Sequence, residues 1–228
     1  MNLPGWTWKD WLQPVPVAML LCGSGALAFL WLAEEVAEQE YQALDRAILL
    51  ALRDPADPAM PIGPPWLLTS MTDITALGGY TVLTLIVAFA CAYMVAARQR
   101  RAALVLLAAS LSGTLVSTLV KMLFDRARPD LVPHLVPALS PSFPSGHAML
   151  SATIFLTAGA LAAQVVPRRR MAALILGFAV LLTVLVGASR VYLGVHWPSD
   201  VVAGWLLGMA WAALWWLAER YLDRRAAR

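Results

Sequence analysis

Six stretches of this chain, at about residues 15–33, 77–97, 102–120, 147–166, 171–187 and 201–218, are almost wholly apolar and each approaches or reaches the length of a bilayer crossing. A helix rises 1.5 Å per residue, so about 20 such residues cover the ~30 Å hydrocarbon layer. Apolar residues make up 60% of the chain and charged ones 14%, against about 45–50% apolar in a soluble domain. The expectation is one all-α unit over residues 1–228, a six-span transmembrane helical bundle.

The charges between the runs set its orientation. Lys9 precedes the first run and Glu34, Glu35 and Glu38 follow it. That layout also fits a signal peptide, with Ala26-Leu27-Ala28 as a cleavage triplet, but the run exceeds the roughly 7–15 apolar residues of such a segment. Residues 34–76 form a polar insertion between spans one and two. In it Tyr41, Leu44, Ile48 and Leu52 recur at helical spacing, which predicts an amphipathic helix on the membrane surface. Prolines from Pro55 to Pro65 then break the chain, and a shorter helix is expected from near Trp66. Acids outnumber bases there, whereas Arg98, Arg100 and Arg101, the cluster Arg168-Arg169-Arg170, and the tail after Glu219 are basic. Positive-inside logic puts the arginine loops and both chain ends in the cytoplasm, with the insertion extracytoplasmic.

Several functions are left without support. There is no Gly-x-Gly-x-x-Gly, no Walker loop and no internal repeat, and a net charge of +3 is explained by topology, so nucleic acid is not an expected partner. Cys22 and Cys91 lie inside apolar runs as small buried hydrophobes, and no disulfide framework is implied.

Three breaks between spans carry chemistry, and six spans place all three on the same, non-cytoplasmic side. Charges near a bilayer are costly, about 2.5–3.5 kcal/mol each at a span centre, so their presence calls for a use. Lys121 and Arg128 are seven apart, so a helix continuing to Pro129 would show both cations on one face, a clamp for a phosphate. Ser145-Gly146-His147 opens the fourth span: serine suits an N-cap, glycine admits a ligand to the backbone, and the free N–H groups attract an anion. His147 would sit over that anion, suited to protonate a departing alkoxide. Ser189-Arg190 adds a cation at the end of the fifth span. Asp200, four residues beyond His196 and in or near the helical turn that Pro198 opens, would fix the imidazole tautomer and leave the other nitrogen free to attack. No carboxylate cluster accompanies the pair, so a metal site is not expected. His134, in a proline-rich loop, reads as solvated.

Together, Lys121-x6-Arg128-Pro129, Pro144-Ser145-Gly146-His147 and Ser189-Arg190-x5-His196-x3-Asp200 resemble the three-part signature of the type-2 phosphatidic acid phosphatases, a superfamily shared with vanadium haloperoxidases. The resemblance covers about residues 119–208, and no signature position departs from it. It implies that Lys121, Arg128 and Arg190 hold the phosphate oxygens, completed by the Ser145 hydroxyl and the Gly146 amide. His196 would attack phosphorus to form a phosphohistidine, oriented by Asp200, while His147 protonates the leaving oxygen; no metal or other cofactor would be needed. It further implies the inner (cytoplasmic) membrane and a lipid phosphate or pyrophosphate as substrate, among them undecaprenyl pyrophosphate, phosphatidylglycerol phosphate, phosphatidic acid and lipid A phosphates. Two rivals are a vanadate-dependent oxidase, whose known members are soluble, and a head-group binding or transport protein, which would not need His196 paired with Asp200.

Overall fold

The computed structural model describes residues 14–226. Lys9 and the last two residues of the tail lie outside them. Eight helices, and no strand, are found among the described residues: α1 (Pro14–Ala37), α2 (Gln42–Ala51), α3 (Pro65–Ala76), α4 (Tyr80–Ala96), α5 (Arg100–Phe124), α6 (Gly146–Val165), α7 (Arg169–Tyr192) and α8 (Pro198–Ala226). The all-α expectation holds.

Five of these helices, α1, α5, α6, α7 and α8, are long and apolar enough to cross a bilayer alone. The expected second span, at 77–97, is altered. Its helix α4 has 17 residues, about 26 Å of rise, which is short of the hydrocarbon thickness. It follows α3 across a 52° bend, and only the pair taken as one broken span gives the sixth crossing. Gly78 and Gly79 occupy that break. A Cβ on Gly78 would stand 2.4 Å from Val186 Cγ1 and 3.3 Å from the His147 ring, so the chain turns here against two other spans.

Helix α6 is the axis of the bundle. Of its spanning stretch 61% is buried, more than in any other of the five long spans, and it packs against α5, α7 and α8. Lipid tails are as apolar as leucine, so close van der Waals contact has to hold spans together. Gly204 and Gly208, one turn apart on α8, supply it. A Cβ would come within 2.7 Å of Ser145 O at Gly204 and within 2.4 Å of Met149 O at Gly208. A cluster of Leu83, Val87, Leu106, Leu150, Ile154 and Val186 fills the space among α4, α5, α6 and α7.

The chain between α5 and α6 is pinned by Phe143, which is fully buried and packed between Phe29 and Phe124 at ring separations of 6.0 and 4.8 Å. This loop, the α7–α8 loop and the α2–α3 segment gather at one end of the bundle. The arginine clusters at 98–101 and 168–170 cap the far ends of the same spans.

Helix α2 forms where the periodicity predicts, but its buried face is Asp45 and Leu49. Leu44 and Ile48 point outward, while Leu49 packs with Trp197 and Val201. The insertion therefore folds onto the end of the bundle, with only its outer face left for a membrane surface.

Replacing Gly208 by valine should force α8 off α6. A loss of about 1–3 kcal/mol is expected for such overpacking, read as a lowered melting temperature of the detergent-solubilised protein relative to the same change at Gly177, where nothing stands within 4 Å.

Candidate active site

At the loop-bearing end, a cavity of about 150 Å³ opens between α4, α5, α6 and α7. Lys121, Arg128, Gly146, His147, Arg190 and His196 all line it, together with Gly78, Tyr80, Leu150 and the 137–140 segment. Residues from all three breaks thus meet in one place.

Local structure delivers each of them differently from a continuous helix. Helix α5 ends at Phe124, five residues before Pro129, because Asp125 adopts the left-handed conformation (φ 41°) with its N–H bonded to Lys121 O. Lys121 is therefore in the last turn of a helix while Arg128 is on the loop, and the shared-face geometry expected for the pair does not occur. They converge because the loop folds back: Arg128 Nε donates to Ser140 O at 2.8 Å and its Nη1 to Val195 O. Lys121 Nζ donates to Pro141 O at 2.5 Å. Helix α7 runs on to Tyr192, so Arg190 projects from its last turn, and its Nη1 donates to Thr75 Oγ1 of α3 at 2.9 Å. Its Nε is buried with no hydrogen-bond partner among the described residues. An unsatisfied buried guanidinium nitrogen is costly, and an anion in the cavity would satisfy it.

His196 is 1% exposed and makes contacts through both ring nitrogens. Nδ1 lies 3.4 Å from Asp200 Oδ2, and Nε2 lies 3.2 Å from Arg128 Nη1. A guanidinium can only donate, so Nε2 must be the acceptor and Nδ1 carries the proton toward the carboxylate. The unprotonated nitrogen thus faces the cation-lined cavity. Burial pushes the His196 imidazole down to about 3; Asp200 opposes that shift, and Arg128 and Arg190 add to it. The ring is neutral at ordinary pH, as a nucleophile requires.

Asp200, in the first turn of α8, does not reach the cavity and stands behind His196. It accepts from Arg126 Nη1 at 2.6 Å, from the Trp197 N–H at 2.9 Å, and from the Ser142 hydroxyl. Ser145 also lies outside the cavity lining. It is fully buried, and its oxygen accepts the Ala148 N–H at 3.4 Å as the N-cap of α6. Gly146 does line the cavity, and a Cβ there would meet Lys121 Cε at 3.5 Å, so glycine leaves the backbone open to a ligand. His147 faces the cavity with no hydrogen-bond partner for its ring among the described residues. His134 is exposed but not simply solvated: its Nε2 is 2.8 Å from Pro129 O.

Four supporting residues have no place in the sequence reading: Ser142, Arg126, Asp45 and Thr75. Asp45 offers a signal, since it shares a helical face with Leu49, and an acid on a buried stripe requires a partner. Among the described residues no group of three or more His, Cys, Asp or Glu side chains is arranged to hold a metal ion.

The chain as a whole is similar to several known proteins. Residues 102–224 match the family model described as the PAP2 superfamily. Phosphatidylglycerophosphatase B of Bacillus subtilis is 35% identical over 187 residues, covering 80% of this chain and 87% of that protein. An undecaprenyl-diphosphatase of Sulfolobus acidocaldarius is 49% identical over 67 residues, 29% of this chain and 28% of that one. The crystal structure of a transmembrane PAP2-type phosphatidylglycerolphosphate phosphatase from Bacillus subtilis superposes with a TM-score of 0.79 at 32% identity, covering 90% of this chain and 97% of that chain.

With a folded value near 3 and an ordinary value of 6.5, His196 takes up a proton on unfolding between those pH values. The folded state then loses stability as pH falls through that window. The melting temperature should drop between about pH 7 and about pH 5, and the drop should be smaller in His196→Gln.

Proposed function

The chain belongs to the PAP2 superfamily and is a phosphoric monoester or diphosphate hydrolase, and from that premise we propose that it removes phosphate from a membrane lipid through a covalent intermediate on His196. The observation that carries this reading is the paired polarity of His196, with Nδ1 on Asp200 and Nε2 toward the cations. A protein that only gripped a head group would have no use for it.

In the proposed reaction Lys121, Arg128 and Arg190 bind the phosphate oxygens, with the Gly146 amide completing the cradle and Ser145 left to cap α6. The His196 Nε2 lone pair attacks phosphorus as the bond to the lipid oxygen breaks, and His147 gives that oxygen its proton. Water then attacks the phosphohistidine, the P–N bond breaks, and His147 recovers a proton from the water. Phosphoryl transfer depends mostly on positioning and on stabilising equatorial charge, which three fixed cations provide.

A lipid tail is favoured by the surroundings. Tyr80 and Leu150 border the polar cavity and also a second, apolar cavity of about 210 Å³ running down between α4 and α5. A head group in the first would leave its chain in the second. Phosphatidylglycerol phosphate is the first candidate, because the relative that matches most of this chain is named for it; undecaprenyl pyrophosphate, phosphatidic acid and lipid A phosphates follow. We also propose that the protein lies in the inner membrane with the site extracytoplasmic and both ends cytoplasmic, since the arginine clusters flank the opposite end of the bundle.

Detergent-solubilised protein should release phosphate from phosphatidylglycerol phosphate with a chelator present. His196→Ala should fall to background. His147→Ala should lose about 10²–10⁴-fold in kcat, the usual worth of a general acid, whereas Lys121→Ala and Arg128→Ala should weaken both KM and kcat. Undiminished turnover by His196→Ala would rule out the covalent route, and the four lipids assayed side by side would rank the substrates. For orientation, Asp54→Cys in a Cys22→Ala, Cys91→Ala background should react with a membrane-impermeant maleimide in intact cells; protection until lysis would invert the topology.

A further inference from the structure

Helix α2 and the residues just after it reach both of the helix ends that frame the His196 loop. At the C-terminus of α7, Arg53 Nη1 donates to Tyr192 O at 3.0 Å. At the N-terminus of α8, Asp45 Oδ1 accepts the Ser199 N–H at 2.8 Å and Oδ2 accepts the Ser199 hydroxyl at 2.5 Å. Each charge stands at the helix end whose dipole it complements. Both side chains are buried, at 3% and 1% exposure. Between the two ends lie only residues 193–197, and Gly194, in the left-handed region at φ 74°, turns the chain where a Cβ would strike Arg53 Nη2 at 2.7 Å.

A second connection runs beneath the first. Arg126 forks between two carboxylates, with Nη2 on Asp45 Oδ2 at 2.9 Å and Nη1 on Asp200 Oδ1 at 2.6 Å. Its Nη1 also reaches the Ser199 hydroxyl at 2.8 Å, and its guanidinium stands 5.7 Å over the Trp197 ring. An unbroken chain of charged contacts therefore leads from Asp45 through Arg126 and Asp200 to His196 Nδ1. Neither Asp45 nor Arg126 lines the cavity, so neither can touch a substrate there.

We propose that α2 with Arg126 is a positioning clamp for His196: Asp45 holds Arg126 and the start of α8 so that Asp200 keeps the imidazole aimed at the phosphate. The inference rests on His196 being the nucleophile, and it gives the insertion a role in aligning that residue. Asp45 and Arg126 are positioning residues, acting through Asp200. Because Arg126 divides its charge between two acids, Asp200 retains the negative charge that faces the histidine. A planar fork is needed for that, which lysine cannot supply.

The test is steady-state kinetics on the full-length protein in detergent with phosphatidylglycerol phosphate, together with inhibition by inorganic phosphate. Asp45→Asn keeps the shape and removes the charge. It should lower kcat about 10–100-fold, the scale of a misaligned reacting group, while KM and the inhibition constant of phosphate stay within about 3-fold because the cations are untouched. Arg126→Lys should do the same, and the double variant should be no worse than the poorer single, since both act through one chain of contacts. A folded Asp45→Asn with unchanged kcat would overturn the proposal, as would a rise in KM matching the fall in kcat, or losses that multiply in the double variant. Should Asp45→Asn fail to give a cooperative melt, Arg126→Lys, which leaves the Asp45–Ser199 bonds in place, carries the same test. His196→Ala run alongside separates the two ideas: activity surviving there sinks the covalent reading, whereas an active wild type with an indifferent Asp45→Asn sinks only the clamp.

Discussion

Three like charges share one small cavity, and the rest of this end of the molecule is arranged to hold them there. Lys121, Arg128 and Arg190 are anchored mainly through neutral acceptors, the carbonyls of Pro141, Ser140 and Val195 and the hydroxyl of Thr75. Such partners fix direction without cancelling charge. A carboxylate in the same role would leave less potential for an incoming anion. The acid nearest the cavity, Asp200, is turned away from it and engaged by Arg126, Ser142 and His196. Positive charge is thus preorganised in the cavity, as the proposed phosphoryl transfer would require.

That arrangement demands a stiff frame, because cations that repel will separate if the helices bearing them can move. Close approach of α8 to α6 at Gly204 and Gly208 fixes the carrier of His147, and the buried Phe143 that of Arg128. Helix α3 fixes a third by presenting Thr75 to Arg190. The insertion thus bears on the site through both of its helices, although its residues look, in isolation, like a surface loop.

Much of this was legible from one-dimensional pattern. Apolar run length specifies spans, and the parity of the spans puts Lys121, His147 and His196 at one end whatever the packing. Spacing within a helix is equally dependable, as with Asp200 one turn beyond His196. What failed to show has a common cause. Asp125 is an ordinary residue until its backbone turns left-handed, so the early end of α5 could not be seen, and extrapolating the helix to Pro129 put Arg128 on the wrong element. The 52° bend between α3 and α4 falls where Gly78 passes close to Val186 and His147, which are far away in sequence. Asp45 and Arg126 stand 81 positions apart, and no periodicity connects them. Ser145 illustrates a subtler limit: two uses of one hydroxyl, capping and ligand binding, look the same on paper, and its geometry shows the cap.

The broken span between α3 and α4 has a bearing on how two unlike reactants reach the same atoms. A hydrolase working on a lipid must admit oil from one direction and solvent from another, and an uninterrupted palisade of helices would keep both out. At Gly78 the wall thins to bare backbone beside His147, level with the mouth of the greasy channel under Tyr80. The discontinuity therefore borders the cavity itself, and under the proposed reaction the histidine beside it would meet both reactants.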